Sequence, residues 1–282
     1  MPAEIRPGPA ALERVISRLR AQPSRTGSII VTLFGDALLP RGGAAWLGTL
    51  TEFCAALGIG AGVVRTAVSR LAADGWLERR RIGRQSQYRL APQGLETFRT
   101  ASRQIYAARP PAWTGRFDLA VGQPGTSADL PGFGSLAPLV WLRPSGRVPP
   151  PVGDDLLLLS AEADPATARR LAGRAWPLAQ TDAAYRRFLE SFDPLDRALA
   201  ESGLDQAHAF VARILLIHDY RRIILRDPLL PPEILPPDWP GEAARALCAA
   251  LYRRLLGSSE RWLDAQKGPL PPPGPELAER FR

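Results

Sequence analysis

Lysine is almost missing from this chain: Lys267 is the only one in 282 residues, so arginine carries nearly all of the positive charge. Cysteine is also scarce. Cys54 and Cys248 fall on apolar helical positions far apart in sequence, with no metal-ligand spacing, which predicts reduced core thiols. His208 and His218 are the only histidines. Ten residues apart on one helix, they stand about a thousand degrees around the axis, roughly 80° off a common face, and cannot chelate one metal together. Each is read as a capping or core histidine. No serine has a histidine at a motif spacing, no glycine-rich loop follows a strand, and no carboxylates pair. The sequence therefore predicts no enzyme, no catalytic residue, no metal site and no cofactor. No apolar run approaches the ~20 residues of a membrane span. The start, MPAEIRPGPAALERV, has no apolar signal core, so a cytoplasmic protein is expected.

What is present is a chain that is 45% hydrophobic and long enough for two or three domains. Its net charge of +8 suits an anionic partner, although a genome-wide preference for arginine, alanine and proline can produce the same excess. Distribution is more informative. Ser24 to Ala107 holds eleven arginines against five acids, or +6 of the +8.

The stretch from Gly60 to Leu90 organises that region. Val63, Ala67, Val68 and Leu71 recur at helical spacing, while Arg65, Thr66, Ser69 and Arg70 lie largely opposite. Gly75 is placed to stop the helix. Trp76–Arg81 and Gln87–Leu90 read as a hairpin whose tip carries Arg84, Gln85 and Ser86, with Arg79, Arg81 and Arg89 along its strands. A polar helix fits the major groove, and a basic hairpin can lie along flanking phosphates. An amphipathic helix beside a surface hairpin of another small domain is the plain alternative. The preceding elements favour the first reading. Helices are expected over Ala10–Gln22, over Ser28–Leu38 with Ser24 or Thr26 as cap, and over Trp46–Leu57. A Gly58-Ile59-Gly60 turn follows. Gln93–Ala107 reads as a connector or dimer helix, and Arg109-Pro110-Pro111 as a linker.

Three segments then carry a resemblance. TLFGDALLPRGGAAWLGTL, VVRTAVSRLAADGWLERRRIGRQSQYRL and LLIHDYRRIILRDPLLPPEILPPDWPGEAARALC resemble the PaaX family, repressors of bacterial phenylacetic-acid catabolism. The specific parts are the Arg41-Gly42-Gly43 turn, Val64-Arg65-Thr66-Ala67 and Asp227-Pro228-Leu229-Leu230-Pro231. The resemblance implies a homodimer that binds double-stranded operator DNA and releases it when phenylacetyl-coenzyme A binds. Arg41, Arg65, Thr66, Ser69, Arg70, Arg81, Arg84, Gln85 and Ser86 become the candidate DNA-binding residues.

The middle of the chain departs from the small ferredoxin-like, Cas2-like α/β domain of that family. Arg116–Val121, Pro138–Arg143 and Asp155–Ala161 read as strands. The intervals Gly122–Ala137 and Pro144–Asp154 are rich in Gly, Pro and Ser and have no helical period. A reduced, largely antiparallel sheet is expected. A nuclease here would rest on Asp118 alone, which is no metal site.

Further on, helices are expected over Pro165–Leu171, Thr181–Phe192, Leu195–Ser202, Asp205–Leu225 and Gly241–Leu256, with a brief strand at Trp176–Leu178. The proline-rich Asp227–Gly241 reads as a rigid extended loop, and Lys267–Arg282 as a fraying end. A coenzyme A thioester needs cations and an apolar slot. His218, Tyr220, Arg221 and Arg222, with Trp239 as a wall, are the candidate effector residues. The alternative is a structural tie from Arg221 or Arg222 to Asp227 or Glu233. The C-terminal half, with its large apolar helices, is expected to hold the dimer contact. The expected fold is α+β and multidomain: a winged helix-turn-helix over 1–108, a reduced central α/β module over 112–180 and a helical domain over 181–282. The competing functions are a regulator of the same build that senses another acyl-coenzyme A or nothing, and a Cas2-like nuclease.

Overall fold

A computed structural model describes residues 10–21, 26–107, 109–123, 130–146, 155–266 and 270–282. Ser24, most of the interval Pro144–Asp154, part of Gly122–Ala137 and the start of the Lys267–Arg282 segment fall outside them. The fold is α+β, with two small antiparallel sheets among helices.

Helix α1 (Ala10–Ala21) buries Ala11, Leu12, Val15 and Ile16 along one side. Helix α2 (Thr26–Thr32) runs into a π-helical turn, Leu33–Leu38, and then a 3-10 turn, Leu39–Arg41, where one regular helix was expected. The wider turn shifts main-chain carbonyls out of the ordinary ladder. Two of them gain guanidinium partners: Gly35 O accepts from Arg280 at 3.1 Å, and Asp36 O accepts from Arg280 at 2.7 Å and Arg213 at 3.2 Å. Strand β1 (Ala44–Trp46) takes Trp46 out of the following helix, because Trp46 pairs with Gln87. Helices α3 (Leu47–Ala56) and α4 (Ala61–Ala73), the hairpin β2 (Leu77–Ile82) and β3 (Gln85–Leu90), and α5 (Pro92–Ala107) complete this part. The sheet order is β1-β3-β2.

Strands β4 (Arg116–Gly122), β5 (Gly134–Ala137), β6 (Val140–Pro144) and β7 (Leu156–Glu162) form a wholly antiparallel sheet in the order β5-β6-β4-β7. Strand β5 lies in an interval read as irregular; its four residues are too few and too glycine-rich to show an alternation. Helix α6 (Pro165–Ala175) is capped by Asp164, which accepts from the Ala166 and Thr167 amides at 2.9 and 3.0 Å. It packs Ala168 and Ala172 against Phe117, Leu142 and Ile234. Trp176, expected on a strand, instead ends α6 and joins this core. Asp118 accepts from Arg143 at 3.1 Å and from Ser145 at 2.5 Å, so its carboxylate has structural partners.

Helix α7 (Leu178–Glu201) is continuous, with Pro194 inside it, where two helices were expected. Buried Phe188, Phe192 and Leu195 line one side, and that packing outweighs the local cost of the proline. Helix α8 (Gln206–Ile224) is buried nearly all round, including Arg213 and His218. Helix α9 (Gly241–Asp264) extends a further two turns beyond the expected Leu256. The chain divides into two compact units: Met1–Ala107 with Arg187–Leu225 and Ala243–Arg282, and Ala108–Arg186 with Arg226–Glu242. Neither follows the boundaries expected from sequence. Within the first unit the C-terminal helices enclose the same core as α1–α5, so their apolar faces are covered by their own chain.

That core holds a charged centre. The Asp36 carboxylate meets Arg213 at 2.7 Å and Arg280 at 2.9 Å, and accepts from the Tyr106 and Tyr252 hydroxyls at 2.6 and 3.0 Å. Burial pushes the Tyr252 hydroxyl up to about 12, so it remains a donor. Arg280 belongs to the segment expected to fray. Gly274 N–H donates to Pro40 O at 2.7 Å and Phe281 N–H to Tyr106 O at 3.2 Å, so the end of the chain is fastened to this unit.

Candidate nucleic-acid interface

Helix α4 owes its orientation to three buried residues, Val64, Ala67 and Val68, at i, i+3 and i+4. They face α2 and α3. Val63, expected on that apolar face, is 53% exposed instead. The outward side thus carries Val63, Arg65, Thr66, Ser69 and Arg70. The turn before α4 is closed by Ile59 N–H donating to Cys54 O at 2.9 Å, with Gly60 as N-cap. At the other end Gly75 adopts φ +75° and Trp76 N–H donates to Leu71 O at 2.9 Å, the glycine stop that the sequence predicted.

The hairpin follows at once. Gly83 and Arg84 form its two-residue turn, with Gly83 at φ +60° and Ile82 opposite Gln85. Leu77, Tyr88 and Leu90 are buried on one face. Register puts Arg79, Arg81 and Ser86 farther along that same face, and Glu78, Arg80, Gln87 and Arg89 on the other. Arg79 donates to Ser86 Oγ at 3.1 and 3.0 Å, holding the guanidinium along the hairpin. Arg80, Arg81, Arg84, Gln85 and Arg89 are exposed. Residues 61–90 contain seven arginines and two carboxylates, a net +5 on one helix and one hairpin. Sequence reasoning missed Val63, whose exposure depends on which of two adjacent valines α2 and α3 cover. It also missed Arg80, which the alternation of the Arg79–Arg81 run was sufficient to place.

One expected contact is excluded. Arg41 is 1% exposed, pairs with Glu260 at 2.6 Å and Asp264 at 2.8 Å, and donates to Pro271 O at 2.9 Å. A side chain held by two carboxylates inside the fold does not reach DNA. Nothing local in the sequence signals this, since both acidic partners lie more than 200 residues away.

Two family models match the chain: that of the PaaX-like protein over residues 25–94 and that of the PaaX-like protein C-terminal domain over residues 176–265. Transcriptional repressor PaaX of Escherichia coli is 38% identical over 291 residues, spanning 93% of this chain and 92% of that protein. The chain belongs to the PaaX family. A solved structure of an uncharacterised protein from Mycobacterium tuberculosis is similar as well. It has a TM-score of 0.54 and 27% identity, and the match covers 83% of this chain and 98% of that one.

In this PaaX-family chain the expected effector residues do not assemble as proposed. His218 is fully buried, with its Nδ1 2.9 Å from Thr32 Oγ1. Burial, then the Arg221 and Arg222 charges, push its imidazole down to about 3, which keeps it neutral. Tyr220 is fully buried against Phe188 and Phe281. Arg221 donates to Thr32 Oγ1 at 2.7 Å and to Ser28 O and Oγ at 2.9 and 2.8 Å, so the structural tie runs to α2 rather than to Asp227 or Glu233. Arg222 is exposed. Trp239 belongs to the second unit, where its ring meets Tyr185 edge-on at 6.0 Å. His218 and Tyr220 are core residues, and the site is corrected accordingly. An opening of the first unit lies elsewhere: a cleft of about 610 Å³ between the 3-10 turn, α5 and the chain's end, lined by Leu39, Leu95, Arg99, Arg103 and Glu279. A cavity of about 40 Å³ adjoins it through Ser102 and Tyr106, with Phe98, Ile105 and Ile217 in its wall and Arg221 at its side.

Proposed function

We propose that this PaaX-family chain is a DNA-binding transcriptional repressor of phenylacetic-acid catabolism genes, built on a winged helix-turn-helix. The single observation that carries this reading is the outward face of α4, with Arg65, Thr66, Ser69 and Arg70 exposed beside an arginine-rich hairpin. An α-helix is about 10–12 Å across, and the major groove is about 12 Å wide. Arginine there pairs with guanine O6 and N7, and Val63 offers an apolar contact to a thymine methyl. The hairpin arginines neutralise flanking phosphates. The central sheet supports a reduced ferredoxin-like module: counted in chain order, its strands stand 2-3-1-4, the order of that fold.

The same proposal includes an acyl-coenzyme A effector such as phenylacetyl-coenzyme A, acting on a homodimer. The 610 Å³ cleft supports it by size, and Arg99 and Arg103 supply cations for phosphates. An effector works only by preferring the form that does not bind DNA.

The test is a titration of the intergenic DNA beside the chain's own gene, followed by fluorescence anisotropy at several salt concentrations. Wild type binds it well above random DNA, with a steep salt dependence, and phenylacetyl-coenzyme A weakens the complex. Equal affinity for random DNA removes the repressor reading, and indifference to the thioester removes the effector.

A further inference from the structure

Arginine is spread unevenly over the second unit. Its two segments hold nine arginines against eleven carboxylates, a net −2 within a chain of +8. Helix α6 runs against that balance. It reads PATARRLAGRA, with Arg169, Arg170 and Arg174 and no acid. All three arginines are exposed. Arg116, Arg143 and Arg186 of the same unit each meet a carboxylate within 3.2 Å. Among the described residues, Arg169, Arg170 and Arg174 form no ion pair. A genome-wide preference for arginine does not account for a bare cluster on an acidic unit.

The packing of α6 fixes where this cluster faces. Ala168, Ala172 and Ala175 join the core of the unit. The opposite side carries Ala166, Arg169, Arg170, Gly173 and Arg174, all exposed. At about 100° per residue, Ala166 and Gly173 fall between Arg169 and Arg170, and Arg174 stands one turn beyond Arg170. Arg169 Nε donates to Glu233 O at 3.3 Å, and Arg170 donates to Thr167 Oγ1 at 3.2 Å. Each bond uses one of the five N–H donors of a guanidinium and cancels no charge. Asp164, the acid before the helix, is taken up by the Ala166 and Thr167 amides.

Two features of this face are unfavourable to the fold itself. Arg170 and Arg174 are like charges at i and i+4, which repel. Gly173 sits inside the helix, where only proline is worse. Neither reason that keeps a glycine in a fold applies to it. A Cβ there would meet nothing within 4 Å, and its φ is not positive. What a bare position between arginines does offer is close approach from outside.

We propose that α6 is a second contact for duplex DNA, gripping backbone phosphates beyond those met by α4 and the hairpin. Arg169, Arg170 and Arg174 supply the cations, and Ala166 and Gly173 let the backbone lie against the helix. A guanidinium meets phosphate oxygens through two parallel N–H groups. Such contacts add affinity and carry no sequence information. The face itself selects this partner. The centre of a protein interface needs aromatic or aliphatic anchors, and a helix lying on a membrane needs an apolar face to bury. The exposed side of α6 has neither, since Leu171 leans on the unit's core. The choice of DNA as the polyanion rests on the proposed function.

The test is Arg169→Ala, Arg170→Ala and Arg174→Ala together in the full chain. Affinity is measured by fluorescence anisotropy between about 50 and 200 mM salt, on the intergenic DNA and on a random duplex of equal length. Alanine suits an exposed helix, so circular dichroism and melting temperature are expected to match wild type. Two or three lost phosphate contacts lower the slope of log K against log salt by about two to three. Across that range wild type therefore loses about ten- to fortyfold more affinity than the variant, on both duplexes alike. Arg169→Lys, Arg170→Lys and Arg174→Lys together are expected to keep the slope, because it follows charge rather than the bonds to Glu233 and Thr167. Gly173→Leu is expected to melt no earlier than wild type and to weaken binding to both duplexes. The proposal is overturned by an unchanged slope in the alanine variant, by a loss confined to the intergenic DNA, by a lysine variant that behaves as the alanine one, or by a Gly173→Leu chain that binds as wild type does. Wild type with no preference for the intergenic DNA removes the repressor reading instead, while a slope lowered by the alanines still supports the α6 contact.

Discussion

Asp36 and Arg213, 177 residues apart in sequence, meet at 2.7 Å with neither side chain reaching solvent. This is a close ionic contact rather than an aligned hydrogen bond. The same carboxylate takes Arg280 and two tyrosine hydroxyls. Asp36 follows directly on α2, one of the helices against which α4 is set. Helices α5, α8 and α9 and the end of the chain are therefore tied to the segment that follows α2, the helix that helps to orient the candidate DNA-reading helix.

Asp36→Ala leaves two buried guanidiniums without their shared carboxylate. Removing one partner of a buried ion pair costs about 3–5 kcal/mol. Urea denaturation of the full chain should show a loss of that order. A loss under about 1 kcal/mol, the range of an exposed pair, would mean that water or a shift of the chain replaces the contact.

Arg41 and Arg84 separate stability from binding. Arg41→Ala takes from Glu260 one of its two guanidinium partners, the other being Arg213, and frees Asp264 to solvent; it is expected to lower the denaturation midpoint while leaving DNA affinity of the folded protein within twofold. Arg84→Ala should leave stability unchanged and reduce the slope of log K against log salt by about one. A reversal of these two phenotypes would place Arg41 on DNA and the hairpin away from it.

Stopping the chain after Leu270 removes Arg280 and Phe281, which lie against Tyr106 and Tyr252. The truncated chain should melt earlier, and restoring Phe281 but not Arg280 should recover only part of the difference. An unchanged melting temperature would show that the end of the chain is dispensable to the fold.

His218 gives a pH signature. Its ring is held near 3, against an ordinary value of 6.5, so across that interval the unfolded chain binds a proton that the folded chain refuses. Stability contributed by the neutral ring is present above 6.5 and is lost as pH falls toward 3. Between pH 7.5 and 5.5 the wild type should lose stability faster than His218→Gln, by up to about 1.4 kcal/mol per pH unit at the steepest. Parallel pH profiles would contradict the assignment.

Much of the first 107 residues was legible because each signal there is local. The Gly75 stop, the Gly83 turn and the three-residue apolar stripe of α4 all lie within a few residues of what they determine. The antiparallel character of the central sheet was legible too, from intervals too poor in helical pattern to cross over. What escaped depends on distant partners. Arg41 is drawn inward by Glu260 and Asp264, and the π-helical turn at Gly35 and Asp36 is matched to guanidiniums of Arg213 and Arg280. Pro194 stays inside α7 because Phe192 and Leu195 are packed on either side of it. The effector candidates rest on side-chain chemistry and adjacency along one helix; burial of His218 and Tyr220 depends on how α8 is surrounded, which one helix cannot report.

The most direct measurement of the central claim is the affinity of Arg65→Ala and Arg70→Ala for the intergenic DNA and for a random duplex of equal length, at one fixed salt concentration. The account predicts that at least one of them loses about 1–3 kcal/mol on the intergenic site and much less on the random duplex, as a lost bidentate contact to guanine requires. Equal losses on both duplexes, or none on either, would contradict it.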